Sequence, residues 1–372
     1  MPRTPRTAAG FRLAAILAAF LLLHGCSGGG SEGSTGHAHP TASCSAADLE
    51  GTMDSVLSGV ASPTDFSFSV KRPDGRQYVY SRGASTLQTS YSSASTSKLV
   101  SAVIIMRLVE QGRLSLASKP QDLIGTWPIG GGDPLLNMTL AQLLSFTSGL
   151  TIEPSCLDDG TSEYEACVTT IGTANGGTGI TPGQQFFYAS THLQVAGLMA
   201  IKARPAATWQ DVFLEFKQQT NLFPTASYDS PSPNNPALAG GMHWTGEEYL
   251  AFLDALRKGE LLNAGSMGQL LADHTASAAI VSSPIAVAPP DGLGEDWHYG
   301  FGLWHECQSA NFNCTPGTRV SSPGIYGAYP FWDRSKGYVG IVAMQGPSNS
   351  IPIGIGIERS VRPTVEQWVA CQ

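Results

Sequence analysis

Charge is scarce in this chain: Asp, Glu, Lys and Arg make up 13% of its 372 residues, 21 basic against 29 acidic. A net charge of −8 leaves no basic surplus, which excludes nucleic acid as a partner. Long apolar runs are missing too. The longest, Leu13–Leu23, falls short of the ~20 residues that a membrane-spanning helix needs. There are no internal repeats, which excludes solenoids. The eight histidines form no HExxH, and His37-Ala38-His39 stands in a polar tract, so no metal and no cofactor is expected.

What the N-terminus does have is Arg3, Arg6 and Arg12, then the apolar run, then Leu23-His24-Gly25-Cys26. This reads as an export signal over residues 1–25. The small residue before Cys26 resembles the lipobox of bacterial lipoprotein signals, which implies a lipid on Cys26. The chain is then expected at the bacterial cell envelope, facing the periplasm or exterior and held to the membrane by that lipid. Without the signal, 18 basic residues stand against 29 acidic ones, a formal charge of −11. Residues 26–43 are rich in Gly, Ser and Thr and read as a flexible tether. Gly29-Gly30-Ser31-Glu32-Gly33 fits the Gly-x-Ser-x-Gly elbow of other hydrolases, but no strand precedes it and no helix follows. Six cysteines remain after Cys26, an even number in an exported chain. Their spacings suggest the bridges Cys44–Cys371, Cys156–Cys167 and Cys307–Cys314.

Folding is expected from Cys44 onward. Ser45 with Asp48 reads as the cap of a short helix carrying Leu49, Met53, Val56 and Leu57. Phe66, Phe68 and Val70 alternate with polar residues, and Pro73-Asp74-Gly75 precedes Tyr78 and Tyr80, so Asp65 to Arg82 reads as a hairpin. From Thr139 to about Leu261 the period is helical, with capping boxes at Thr139/Gln142 and Thr245/Glu248 and a weaker one at Thr208/Asp211. Ile152 to Ile180 shows no period and reads as a stapled loop, a lid over a site. Strands are expected at His298–His305 and Tyr338–Gln345, before a terminal helix with Val361, Val365, Trp368 and Val369.

The candidate chemistry lies at Ser95-Thr96-Ser97-Lys98, heading an apolar helix that stops at Gly112. Residues three apart share a helix face, so the Ser95 hydroxyl and the Lys98 amine can meet. A serine is a poor nucleophile without a neighbouring base, and a lysine becomes a base only when burial lowers its pKa from ~10.4. Of the seven lysines, only Lys98 has a serine three residues before it.

These residues resemble the Ser-x-x-Lys motif of the serine β-lactamase and penicillin-binding-protein superfamily, in the branch of class C β-lactamases, D-aminopeptidases and family VIII esterases. Leu143-Leu144-Ser145-Phe146-Thr147-Ser148-Gly149-Leu150 resembles that family's Leu-Leu-x-x-Thr-Ser-Gly-Leu segment. Pro182-Gly183 ahead of Tyr188-Ala189-Ser190 resembles its approach to Tyr-x-Asn. The resemblance implies an α/β (α+β) fold of the β-lactamase/transpeptidase type, an antiparallel sheet flanked by helices. The sheet lobe is expected from 44–93 and 295–372, with a mostly helical lobe, 94–294, inserted.

The resemblance also implies a serine hydrolase cleaving an ester, amide or peptide-like bond, with Ser95, Lys98 and Tyr188 catalytic. The Tyr188 phenol would move protons, its pKa lowered by the neighbouring ammonium. The amides of Ser95 and Ile325 would form the oxyanion hole, the latter presented by a strand, with Gly324 allowing close approach. Two substrate-binding positions depart from the pattern: Ser190 replaces the usual asparagine, and Ser322 replaces the Lys or His that holds a substrate carboxylate. Simple esters and amides are therefore expected to be better substrates than β-lactams. The other reading is a non-catalytic or penicillin-binding envelope lipoprotein of the same fold.

Overall fold

The computed structural model describes residues 44–371. The expected signal, the expected tether and Cys26, the expected lipid site, lie outside them. Ser45 caps the first helix, Ala46–Gly59, its Oγ accepting the Asp48 N–H at 3.2 Å. The chain then turns into the expected hairpin, Ser67–Lys71 and Gln77–Ser81. Gly75, at φ +92°, makes its turn.

Seven antiparallel strands form the main sheet. Its order runs Gln77–Ser81, Ser67–Lys71, Tyr338–Ala343, Tyr329–Asp333, Arg319–Ser321, Trp304–His305 and His298–Tyr299. The last two pairs of residues were expected as one continuous strand. They are instead a tight hairpin, because Gly302 at φ +68° folds the chain back between them. A Cβ at Gly302 would lie 2.5 Å from the Lys98 carbonyl, so this glycine also lets the hairpin reach the nucleophile helix.

Every residue of Tyr329–Asp333 and Tyr338–Ala343 is buried, so both sheet faces are covered. On the face bearing Tyr338, Arg319 reaches Glu358 of the terminal helix, Ile351–Ala370, which also packs on the first helix. On the opposite face, Ala343 meets Gly246 of the helix Gly246–Arg257. That helix falls within the segment expected to build a separate helical lobe, yet it packs on the sheet and Asp254 pairs with Lys71 at 2.9 Å.

Three capping boxes start helices at Thr139, Thr208 and Thr245 as the sequence predicts. The segment Ile152 to Ile180 departs from expectation, because Tyr164–Asn175 is a helix. Its buried face is Tyr164, Cys167, Val168, Ile171, Gly172 and Asn175, a short apolar stripe at helical spacing that the reading of this segment as unperiodic overlooked. Gly172 fits against Pro128, where a Cβ would lie 2.7 Å away, and the Asn175 side chain bonds the Thr151 and Ile152 amides. The three disulfides join Cys44 to Cys371, Cys156 to Cys167 and Cys307 to Cys314, with Cα separations of 5.5, 5.4 and 5.5 Å.

Candidate active site

Ser95 sits in a single 3-10 turn, Ala94–Thr96, that runs straight into the helix Ser97–Glu110. Ala94 before it is held at φ +45°, a left-handed conformation that costs a non-glycine residue about 1 kcal/mol or more. The surroundings hold it there. Trp244 donates to the Thr96 hydroxyl at 2.8 Å, and the Tyr249 hydroxyl to the Thr96 carbonyl at 2.7 Å. Eleven of the fourteen residues of Ser97–Glu110 are buried, so the helix is a central element rather than an amphipathic one.

Lys98 lies in the first turn of that helix and is only 3% exposed. Its Nζ donates to Ser95 Oγ at 2.8 Å and to the Ala239 carbonyl at 2.8 Å, and it stands 4.6 Å from the centre of the Tyr188 ring. Burial lowers its pKa to about 7, with the Glu153 carboxylate opposing part of the fall. The Ser95 hydroxyl therefore has at hydrogen-bond distance an amine that loses its proton around neutral pH.

Tyr188 packs among Phe146, Phe186, Tyr299 and Trp304, its ring stacked 5.1 Å from that of Trp304. Burial pushes its phenol well above the usual range, although hydrogen bonds from the Ser95 and Trp304 side chains oppose the rise. This corrects the expectation of a lowered phenol. Desolvation outweighs those hydrogen bonds, so the Tyr188 phenol stays neutral around neutral pH. Behind it, His192 is fully buried, with Nε2 donating to the Phe187 carbonyl at 2.8 Å and Nδ1 accepting from Ser148 at 2.8 Å. Burial lowers the His192 pKa to about 4, which keeps it neutral.

Gly324 approaches the nucleophile turn as expected: a Cβ there would lie 2.7 Å from the Ser93 carbonyl. Ile325 belongs to a turn and not to a strand, because the sheet breaks between Arg319–Ser321 and Tyr329–Asp333. Within that turn Ser322 donates its amide to Pro330, Gly324 to Ala328 and Gly327 to Gly324, while the Ile325 carbonyl accepts from Ser350. The ladder leaves the Ile325 amide out.

The Ser322 side chain was expected to face substrate. Instead it is 2% exposed, with Oγ 3.2 Å from the Ser95 carbonyl and 3.4 Å from that of Gly302. It braces the nucleophile turn from behind. Ser190 does line the cleft, and its amide donates to Glu153 at 2.5 Å.

The cleft is a cavity of about 350 Å³ into which Ser95, Lys98, Ser190, Asp158, Ser230 and Tyr326 face. A roomier hollow of about 470 Å³ lies between Asn221–Thr225 and Thr245–Ala251, but no nucleophile-base pair lines it. Sequence reasoning passed over Glu153, Asp158 and Trp304. The two carboxylates lie in the segment read as a lid, where their proximity to Ser95 has no local signature.

A family model described as Beta-lactamase matches residues 72–351. The chain is similar to penicillin-binding protein 4 of Amycolatopsis lactamdurans, 26% identical over 133 residues, which are 34% of this chain and 33% of that protein. The match thus spans about a third of that relative's length. Among solved structures, a penicillin-binding protein from Bacillus halodurans superposes with a TM-score of 0.62 at 19% identity, covering 83% of this chain and 98% of the other. The D-amino acid amidase of Ochrobactrum anthropi SV3 gives 0.63 at 15% identity, over 87% and 100%. EstCE1, a hydrolase with promiscuous acyltransferase activity, gives 0.65 at 17% identity, over 86% and 98%. At these identities the likeness speaks for a shared fold.

Proposed function

The chain belongs to the beta-lactamase family of serine hydrolases, and from that premise we propose that it cleaves an ester or amide bond through an acyl-enzyme on Ser95. The observation that carries this reading is the 2.8 Å hydrogen bond between Lys98 Nζ and Ser95 Oγ inside a buried site. The Ser95 oxygen attacks the substrate carbonyl as its proton passes to the neutral Lys98 amine. The amides of Ser95 and Ile325 stabilise the oxyanion. As the carbon–heteroatom bond breaks, the proton reaches the leaving group through Tyr188. Water then attacks the acyl-enzyme by the reverse relay and frees the acid.

The site supports neutral substrates over carboxylate-bearing ones such as penicillins, since among the described residues Lys98 is the one basic side chain lining the cleft and it is engaged by Ser95 and Ala239. The N-terminal sequence supports an exported protein anchored through a lipid on Cys26. Labelling the purified protein with a fluorophosphonate, followed by peptide mapping, tests the acyl-enzyme reading. Modification of Ser95 is expected, and an unlabelled, folded protein would instead be a binding protein of this fold. A screen of p-nitrophenyl esters, D-amino-acid amides and a chromogenic cephalosporin then ranks the substrate classes.

A further inference from the structure

A neutral lysine amine can take the Ser95 proton only if its lone pair faces that hydroxyl, so its N–H bonds must be directed elsewhere. Among the described residues, the Ala239 carbonyl, 2.8 Å from Lys98 Nζ, is the one protein acceptor besides Ser95. That carbonyl stands in residues 230–241, a stretch that belongs to no helix or strand. Turn bonds from Gly240 and Gly241 to the Ala237 carbonyl shape it locally, but they do not dock it on the nucleophile helix.

Side chains do the docking. Gln194 Oε1 accepts the Leu238 N–H at 3.2 Å, and Ser101 Oγ donates to the Leu238 carbonyl at 2.8 Å. Leu238 is thus clamped on both sides, one residue before the carbonyl that Lys98 uses. Ser101 follows Lys98 by three residues on the same helix face. Gln194 belongs to Thr191–Lys202, the helix that follows Tyr188, and its amide donates to Asn235 Oδ1 at 3.1 Å and the Pro236 carbonyl at 3.2 Å. All three of its bonds therefore hold one stretch of chain. Gln194, Ser101 and Asn235 are at most 1% exposed, and polar groups so buried persist only when partnered. The Leu238 side chain enters against Gly197 on the Gln194 helix, where a Cβ would collide with it.

We propose that Gln194 is a positioning residue for the base: by fixing Leu238 it holds the Ala239 carbonyl against Lys98 Nζ and so aims the amine at Ser95. The proposal deepens the acyl-enzyme reading and rests on it. As the Ser95 oxygen bonds to the acyl carbon, its proton passes to Nζ, and the ammonium so formed gives Ala239 a charge-assisted hydrogen bond. Loosening that carbonyl harms the protonated amine more than the neutral one, so the acid limb of the pH profile moves down, while the misaimed amine lowers the plateau. The titratable groups that face Lys98 are Glu153, Asp158, Tyr188, His192 and Tyr326, and residues 230–241 carry no charge. None of these groups is bonded to the Gln194 side chain.

The test follows the second-order rate of Ser95 labelling by an alkyl fluorophosphonate across the acid limb and the plateau. Gln194→Met keeps the size and loses all three bonds; it should lower the plateau about tenfold and move the limb down by about one pH unit. Ser101→Ala is the milder variant, freeing the other side of Leu238, and should move the limb in the same direction by less. Gln194→Glu, kept protonated by burial, still accepts from Leu238 and still has one donor, so it should recover most of the plateau. Tyr164→Phe is the structural control. It removes a buried bond of 3.0 Å to the Gln194 main-chain carbonyl and leaves Leu238 alone, so it should lower the melting temperature without moving the limb. A limb that stays or rises in Gln194→Met and Ser101→Ala with Ser95 still labelled, or that moves equally in Tyr164→Phe, would overturn this proposal alone. No labelling of the parent protein would overturn the acyl-enzyme reading, and this one with it.

Discussion

The Ser322 hydroxyl lies 3.2 Å from the carbonyl of Ser95, so a side chain expected to meet substrate instead supports the peptide of the candidate nucleophile. Ser322→Ala removes a buried hydrogen bond of about 1 kcal/mol, expected as a small fall in the urea midpoint and a modest loss of turnover. Ser322→Lys forces a long cation into a site that is 2% exposed. It should abolish Ser95 labelling by neutral and anionic probes alike rather than create carboxylate specificity, and selective gain toward the anion would refute the placement.

The pH dependence follows from Lys98, whose pKa burial lowers to about 7. Below that value the amine is protonated and cannot accept the Ser95 proton, so kcat/KM should rise with unit slope up to about pH 7 and then level off. Stability carries the same signature. The folded chain binds fewer protons at Lys98 than the unfolded chain between about 7 and the unfolded value, so stability rises with pH across that window. Lys98→Met should therefore be inactive yet more stable than the parent at pH 7, by about 1–3 kcal/mol, with the advantage shrinking toward pH 10. Thermal melts at both pH values measure it.

Gly324→Ala would put a methyl carbon 2.7 Å from the Ser93 carbonyl, an approach that real Cβ atoms do not make. Backbone must shift on one side or the other, and the Ile325 amide moves with it. Ser95 labelling should slow by about 10²-fold, on the scale of losing one oxyanion donor, while the melting temperature changes little by comparison.

His192 offers a prediction about positioning. His192→Phe leaves the Phe187 carbonyl and Ser148 without partners and should lower kcat about tenfold with little change in KM, since the chain leading into Tyr188 loosens. The acid limb near pH 7 should stay where it is, because His192, at about 4, is already neutral there. His192→Gln, which can still donate to Phe187, should recover most of the loss.

The Cys44–Cys371 bridge closes almost the whole folded chain, with a sequence separation of 327 residues. Replacing Cys44 with Ala should cost about 3–5 kcal/mol in the chain-entropy account, read as a lower denaturation midpoint, with Ser95 labelling unaffected. Peptide mapping without reduction checks the pairing.

What was legible in the sequence was whatever local chemistry writes down. The Ser45, Thr139 and Thr245 caps, the Pro73-Asp74-Gly75 turn and the Ser95-to-Lys98 spacing each depend on residues within one turn of one another, and each appears where its signal stands. The helix Tyr164–Asn175 was legible in Tyr164, Cys167, Val168 and Ile171 at helical spacing and was missed among the flanking Gly and Cys residues, whereas the fit of Gly172 to Pro128 and of Asn175 to the Thr151 and Ile152 amides is tertiary. The environment of Tyr188 is tertiary too. Trp304 and Tyr299 reach it from more than a hundred residues away, and their desolvation reverses the pKa shift that a neighbouring lysine alone suggests. The orientation of Ser322 likewise depends on Gly302, which a linear motif does not contain.

Arg319, enclosed by three carboxylates, occupies the same short strand that leads into Ser322, Pro323 and Gly324. Slipping that strand by one residue would turn its guanidinium to the opposite face of the sheet and leave Arg362 alone to face the buried Glu358 and Glu306, with Asp333 losing its arginine. The ion cluster thus works as a key for the pairing, and the place of Ser322 and Gly324 against the turn that holds Ser95 is settled when the sheet assembles, before any ligand arrives. The loops around the cleft can then change to accept other substrates without disturbing the part of the site that must not move.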